Sequence, residues 1–320
     1  MKVKSTAFAA ILMLYSSFCH PQIPEYKNEF GFRSENDAYL AYGQDRYYTN
    51  GLAIYFRRAT DQSKLSKKLN KLIWEAEAGQ KMYNPQSGSI TDIAFVDRPF
   101  AAYLYAGGSV NFFFNTESSL KVSLYGGTIG PDAKGKETQE LLHSIVGFYE
   151  IKGWEWQVKN EAALNSTVNY KHLFFRKKSG KLDLSLDSYL NIGNTYAGAG
   201  AGLMFRTGDL NQLFHSASTA STVSNNSRSK DITNRELFFY AKPILHYIAY
   251  DGTIQGGLFR DDKGPVVFDV KPIVFSQQAG IIYSKNRWTA DFSLMFKSRE
   301  VQSVAKAHQY GSAAIYYRFN

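Results

Sequence analysis

Apolar and polar residues alternate along this chain with a period of two, over runs of ten residues or more. In KLDLSLDSYLNI, Leu182, Leu184, Leu186, Leu190 and Ile192 alternate with Lys181, Asp183, Ser185, Asp187, Tyr189 and Asn191. RWTADFSLMFK sets Trp288, Ala290, Phe292, Leu294 and Phe296 against Arg287, Thr289, Asp291, Ser293 and Lys297. GWEWQVKNEAALN reads the same way, with Trp154, Trp156, Val158, Ala162 and Leu164 on one face. Only β-strand has that period. A soluble sandwich would share it, so length decides. Globular strands usually run about five or six residues, whereas a tilted strand needs about nine to eleven to cross a bilayer. The chain also closes on SAAIYYRFN, where Ile315, Tyr317 and Phe319 share a face as in the aromatic girdle of a membrane barrel. The expected fold is therefore all-β, a transmembrane antiparallel β-barrel, in preference to a soluble β protein.

Twelve runs qualify: near residues 28–37, 48–58, 69–84, 98–113, 117–129, 154–173, 180–193, 195–206, 235–259, 266–284, 286–298 and 308–319. An even count suits a single-chain bacterial barrel. The third run, KLSKKLNKLIWEAEAG, fits an amphipathic helix as well as a strand. Upstream, Lys2 and Lys4 precede the apolar run 7–15 and then Ser16 and Ser17, the pattern of a secretory signal peptide. Residues 1–19 are read as that leader, its end falling near Cys19 to Gln22, and 20–320 as one outer-membrane barrel domain. Cys19 is the single cysteine, so no disulfide framework is expected. Beyond the leader no apolar run approaches the roughly 18 residues of a membrane helix. The formal charge of +9 points, for an exported chain, to an anionic membrane surface rather than nucleic acid. HSASTASTVSNNSRSKD, 215–231, reads as a flexible low-complexity loop. YAGAGAGLMF lies in a strand with no helix behind it, so its glycines are not a dinucleotide fingerprint. No serine-hydrolase elbow and no zinc-protease motif occurs.

One segment breaks the strand pattern. In GTIGPDAKGKETQELLHSIVG a Gly-Pro turn opens onto a short helix in an outward loop, where Gln139 lies four residues and Glu140 three residues before His143. Strands alternate in direction, so this loop shares a rim with Asn36 and Asp37 at the end of the first strand and Thr49 at the start of the second. A carboxylate, an amide, a hydroxyl and an imidazole at one mouth are the minimum for metal-assisted hydrolysis.

ENDAYL, DRYYTNGL, GQKMYNP, DRPFAAYLY, GTIGPDAKGKETQELLH and GWEWQVKNEAALN follow one another in an order and spacing that resembles the outer-membrane lipid A 3'-O-deacylase family, densely from Asn28 to Asn165. The resemblance implies a twelve-stranded barrel in a Gram-negative outer membrane, with its site between the outer wall and a loop helix. It implies calcium-dependent removal of the ester-linked 3' acyl chains of lipid A, the lipid anchor of lipopolysaccharide. By position, Asn36, Asp37, Thr49 and His143 match the family's site residues. His143 is then the general base, and Asp37 with Asn36 holds Ca²⁺. Thr49 serves the oxyanion or the water, or alternatively accepts the acyl group. Arg46, Arg98, Lys134 and Lys136 are candidates for lipid phosphates, and the wall beside Trp154 and Trp156 for acyl chains. Two positions depart from the pattern. PQSGSITDIAFVDR lacks a Lys-Arg pair, and Tyr149 stands where the best-characterised members carry glutamate, leaving Gln139, Glu140 or Glu150 to orient His143. The competing readings are a non-catalytic barrel, binding lipopolysaccharide or acting as a channel, and a phospholipase using the same chemistry.

Overall fold

The computed structural model describes residues 25–40, 45–227, 233 and 235–320. The leader expected at 1–19 lies outside these residues. Among them, twelve antiparallel strands close a barrel in which each strand pairs with its sequence neighbours. They are β1 (Asn28–Asn36), β2 (Tyr47–Ala59), β3 (Leu69–Asn84), β4 (Ala101–Phe114), β5 (Ser118–Ile129), β6 (Glu161–Arg176), β7 (Leu182–Gly193), β8 (Tyr196–Asp209), β9 (Arg235–Asp251), β10 (Ile273–Lys285), β11 (Trp288–Lys297) and β12 (His308–Phe319). The seam joins β1 to β12 from Asn28 opposite Phe319 to Asn36 opposite Gly311, so no sheet edge is left open. The ambiguous third run is strand β3.

The alternation sorts side chains between lipid and lumen. Phe30, Phe32, Ile54, Trp74, Phe292 and Leu294 stand exposed on the outer wall. Their sequence neighbours are buried in a polar lumen, where Arg57 Nη1 donates to Glu29 Oε1 at 2.7 Å and Lys121 Nζ to Glu75 Oε1 at 2.6 Å. Arg206 likewise meets Asp183 at 2.6 Å, both side chains fully buried. Removing one partner of such a buried pair costs on the order of 3–5 kcal/mol, because it leaves the other charge uncompensated.

The connections next to the termini are mostly short, which marks that end as periplasmic. One of them is long, and here the sequence reading is corrected. The described part of the expected flexible segment, 215–227, folds into the barrel base. Phe214 and Val223 pack with Ala59, Ile73 and Phe113. Lys71 Nζ donates to the Ser221 carbonyl at 2.6 Å and touches His215 Nδ1 at 3.0 Å. Small hydroxyl residues make this possible by satisfying the loop's own backbone, as when Ser221 Oγ donates to the Leu213 carbonyl at 2.9 Å. Low complexity here is a device for threading chain into a narrow lumen.

A second correction concerns GWEWQVKN. Trp154–Trp156 forms a 3-10 turn, and β6 begins only at Glu161. The alternation before Ala162 is coincidental. Trp154 is 2% exposed and belongs to a cluster with Met82, Phe100, Ala102, Ala133 and Ile151. By strand parity Met82 and Ala102 point outward, like exposed Trp74 and Leu104, yet both are buried. The loop after β5 therefore folds down over the outside of the barrel. Trp154 is its core and not a surface open to acyl chains.

Candidate active site

On that outer wall lies α1 (Gly135–Val146), the helix anticipated in the sequence. It ends at Gly147, whose φ of 73° is left-handed and lets the Gly147 and Phe148 N–H groups cap the His143 carbonyl at 2.9 and 3.0 Å. Leu142 packs on the Trp154 cluster, and the Trp154 indole N–H donates to Gln139 Oε1 at 2.7 Å. That contact fixes the helix rotation, with Gln139 and His143 facing the wall.

Opposite them, β1 ends in a short turn. Asn36 Oδ1 accepts the Ala38 N–H at 2.7 Å, and Asp37 Oδ2 accepts the Arg46 N–H at 2.8 Å. The chain returns through Tyr47, held at a φ of 59°. The β2–β3 register then slips between Tyr48 and Asn50, making Thr49 the extra residue of a bulge. Re-aimed in this way, the Thr49 hydroxyl reaches Asp37 Oδ1 at 3.2 Å and also contacts Asp45 Oδ1.

Asp45 is the centre of the arrangement. Its Oδ2 accepts Gln139 Nε2 at 2.7 Å and the Tyr149 hydroxyl at 2.7 Å, and its Oδ1 accepts Asn84 Nδ2 at 3.0 Å. His143 Nε2 lies 3.2 Å from Oδ2. On the other side of the ring, Nδ1 is 2.8 Å from the Tyr149 carbonyl. A carbonyl only accepts, so Nδ1 carries a proton, and Nε2 is the position whose protonation can change. Space is close: a Cβ on Gly88 would meet Asp45 Oδ2 at 2.6 Å and the Tyr149 hydroxyl at 2.8 Å.

Electrostatics follow from these contacts. The hydrogen bond to Asp45 raises the His143 pKa against the opposing effect of burial. Burial pushes Asp45 upward, but hydrogen bonds from His143, Thr49 and Tyr149 outweigh it and leave the carboxyl below its usual range. Asp37 has no such cation. Burial, followed by the charge of Asp45 and opposed by hydrogen bonds, pushes it up to about 7. Tyr149 is also raised, by burial and by the Asp45 charge. The site thus sets Asp45 against a His143 imidazole whose proton affinity it raises, beside a second carboxyl that lacks a counter-charge.

Of the residues picked out in the sequence, Asp37, Thr49, His143 and Gln139 meet here, and Asn36 shapes the turn that holds Asp37. Others lie elsewhere. Glu140 pairs with Lys136 at 3.8 Å and Lys134 with Glu137 at 3.2 Å, all exposed. Glu150 points away toward Lys152 at 3.2 Å and does not orient His143. Arg98 is almost fully buried, 4.2 Å from the Tyr83 ring centroid, and donates to Thr253 Oγ1 at 2.9 Å, so it is closed to lipid phosphates. Arg46 is half-buried over the Tyr47 ring. The sequence gives no role to Asp45, Asn84 or Tyr149, although Tyr149 stands at the position of the family's glutamate. Asp45 and Asn84 do lie inside quoted motifs, DRYYTNGL and GQKMYNP.

Among solved structures, LpxR from Salmonella typhimurium superposes with a TM-score of 0.72 at 18% identity, covering 91% of this chain and 100% of that one. The β domain of the Bordetella autotransporter BrkA matches at 0.48 and 10% identity, covering 92% of this chain and 100% of that one. The translocator domain of NalP from Neisseria meningitidis matches at 0.45 and 9%, covering 98% and 96%. The last two scores are too low to carry an inference. No curated protein matches by sequence. The LpxR family, described as outer membrane protein LpxR, matches residues 6–319. The chain belongs to the LpxR family.

Proposed function

We propose that this protein hydrolyses the ester-linked 3' acyl chains of lipid A, with His143 as general base. The observation that carries the reading is the Asp45–His143 pair, held on the outer barrel wall beside Asp37 and Thr49. The fold and the family place the protein in a Gram-negative outer membrane, where lipid A fills the facing leaflet. An esterase on the outer wall meets such a substrate directly.

The donor set fits calcium. Asp37 and Asp45 are bridged by the Thr49 hydroxyl, and the buried Asn84 Oδ1 has no hydrogen-bond partner although the same amide donates to Asp45. Among the described residues no group of three His, Cys, Asp or Glu side chains is placed to hold a metal ion by itself. A hard cation would therefore take its further oxygens from Asn84, Thr49, backbone or water, as calcium readily does. Asn36 Oδ1 accepts the Ala38 N–H and keeps a second lone pair, so Asn36 with Asp37 remains the proposed calcium pair, with Asp45 beside it as a further carboxylate. When bound there, calcium would polarise the ester carbonyl, an effect worth about 3–4 kcal/mol where single oxyanion contacts have been removed.

The chain's own residues handle the proton. The Tyr149 carbonyl holds one hydrogen on Nδ1, and neutral Nε2 takes the proton of an attacking water. The resulting imidazolium donates to Asp45 and returns its proton to the leaving sugar oxygen as the acyl C–O bond breaks, giving the free fatty acid and the alcohol. The Thr49 hydroxyl, beside both carboxylates, positions the water. Because Asp45 raises the His143 pKa, the neutral base forms only as pH climbs through that raised value. Asp45→Asn removes the largest raising cause, leaving burial to lower the pKa against the smaller raising effect of the Tyr149 carbonyl. The acid limb of kcat/KM should then move to lower pH while the maximum rate falls, and an unmoved limb would break the assigned pairing.

The channel reading finds no support in the lumen, whose periplasmic end is filled by the loop through Phe214 and Val223. Planar-bilayer recording should give no steady conductance, whereas deleting 213–224 should open one.

A further inference from the structure

A surface helix of a soluble protein turns its apolar side inward and its polar side to water. The second half of α1 is reversed. Gln139 and His143 face the barrel wall, while Leu141 is 60% exposed and Ile145 71%. Phe148, just past the helix and 53% exposed, continues the same stripe at spacings of four and three residues. Left in water, each of these side chains forgoes the favourable transfer of its apolar surface. Charge is confined to the first half, where Lys134 pairs with Glu137 and Lys136 with Glu140.

The position of α1 identifies what covers this stripe. The helix lies over the outward faces of β3 and β4, against Met82 and Ala102. Two residues further down β4, Leu104 belongs to the exposed apolar belt, so the stripe and the membrane-facing wall are continuous. We propose that the C-terminal half of α1 is immersed in the acyl-chain layer of the outer leaflet, with its charged first half among the head groups. This inference rests on the barrel's membrane orientation and not on the deacylase reading, so the two fail separately.

Spin-label accessibility tests it without any measure of activity. In a Cys19→Ser background, Ile145→Cys is labelled in vesicles of lipopolysaccharide and phosphatidylethanolamine. Leu294→Cys on the belt and Glu137→Cys on the charged half serve as references, and Val146→Cys is the second probe should Ile145→Cys not fold. The label at 145 should match the one at 294, with high collision rates for oxygen and low rates for a polar nickel chelate. A profile matching 137 overturns the proposal. Shielding from both agents overturns it too, since that outcome means a protein partner covers the helix.

Discussion

Replacing His143 by alanine should lower the deacylation rate by about 100- to 10,000-fold, the range over which a positioned general base acts. The loss should fall on kcat, because the imidazole meets the attacking water and not the acyl chains. Folding should survive: His143 is held by Asp45 and the Tyr149 carbonyl, and neither contact belongs to the barrel's hydrogen-bond ladder. Heat-modifiable gel mobility should therefore match the wild type, separating lost chemistry from lost structure. Full activity in this variant would remove His143 from the mechanism.

Trp154→Ala should cost about 3–5 kcal/mol, the usual range for truncating a buried tryptophan. The loss should be local. The indole ring sits 5.4 Å from the Phe100 ring and, through its N–H, sets the rotation of α1 at Gln139. Without it Gln139 Oε1 is buried and unpaired, and α1 loses the centre of its only cluster against the wall among the described residues. Limited proteolysis should then cut within 134–150 while the barrel strands remain protected, and activity should fall with His143 no longer held against Asp45. Uniform destabilisation of the barrel would contradict this division between wall and loop.

The barrel could be read from the sequence because the period-two pattern of residues such as Leu182 to Ile192 is imposed by a wall with lipid outside and water inside. The same rule misread Trp154 and Trp156. Their spacing is that of a strand, but a helix and a 3-10 turn packed on the outer face obey no lipid-to-lumen alternation. Asn36, Asp37, Thr49 and His143 could be placed on one rim from strand direction alone. The central position of Asp45 could not, since it depends on the bulge at Thr49 and the left-handed Tyr47, neither marked by glycine or proline. Arg98 shows the matching limit for charge: exposed and buried arginines look alike in sequence, and only the Tyr83 and Thr253 contacts reveal a loop latch.

Mass spectrometry of lipid A incubated with the purified, folded protein tests the central claim most directly. With calcium present, the mass should fall by the 3' ester-linked acyl groups. Chelation should stop the reaction, added calcium should restore it, and His143→Ala should leave the lipid intact. Unchanged lipid A in the presence of folded wild-type protein and calcium would contradict the account.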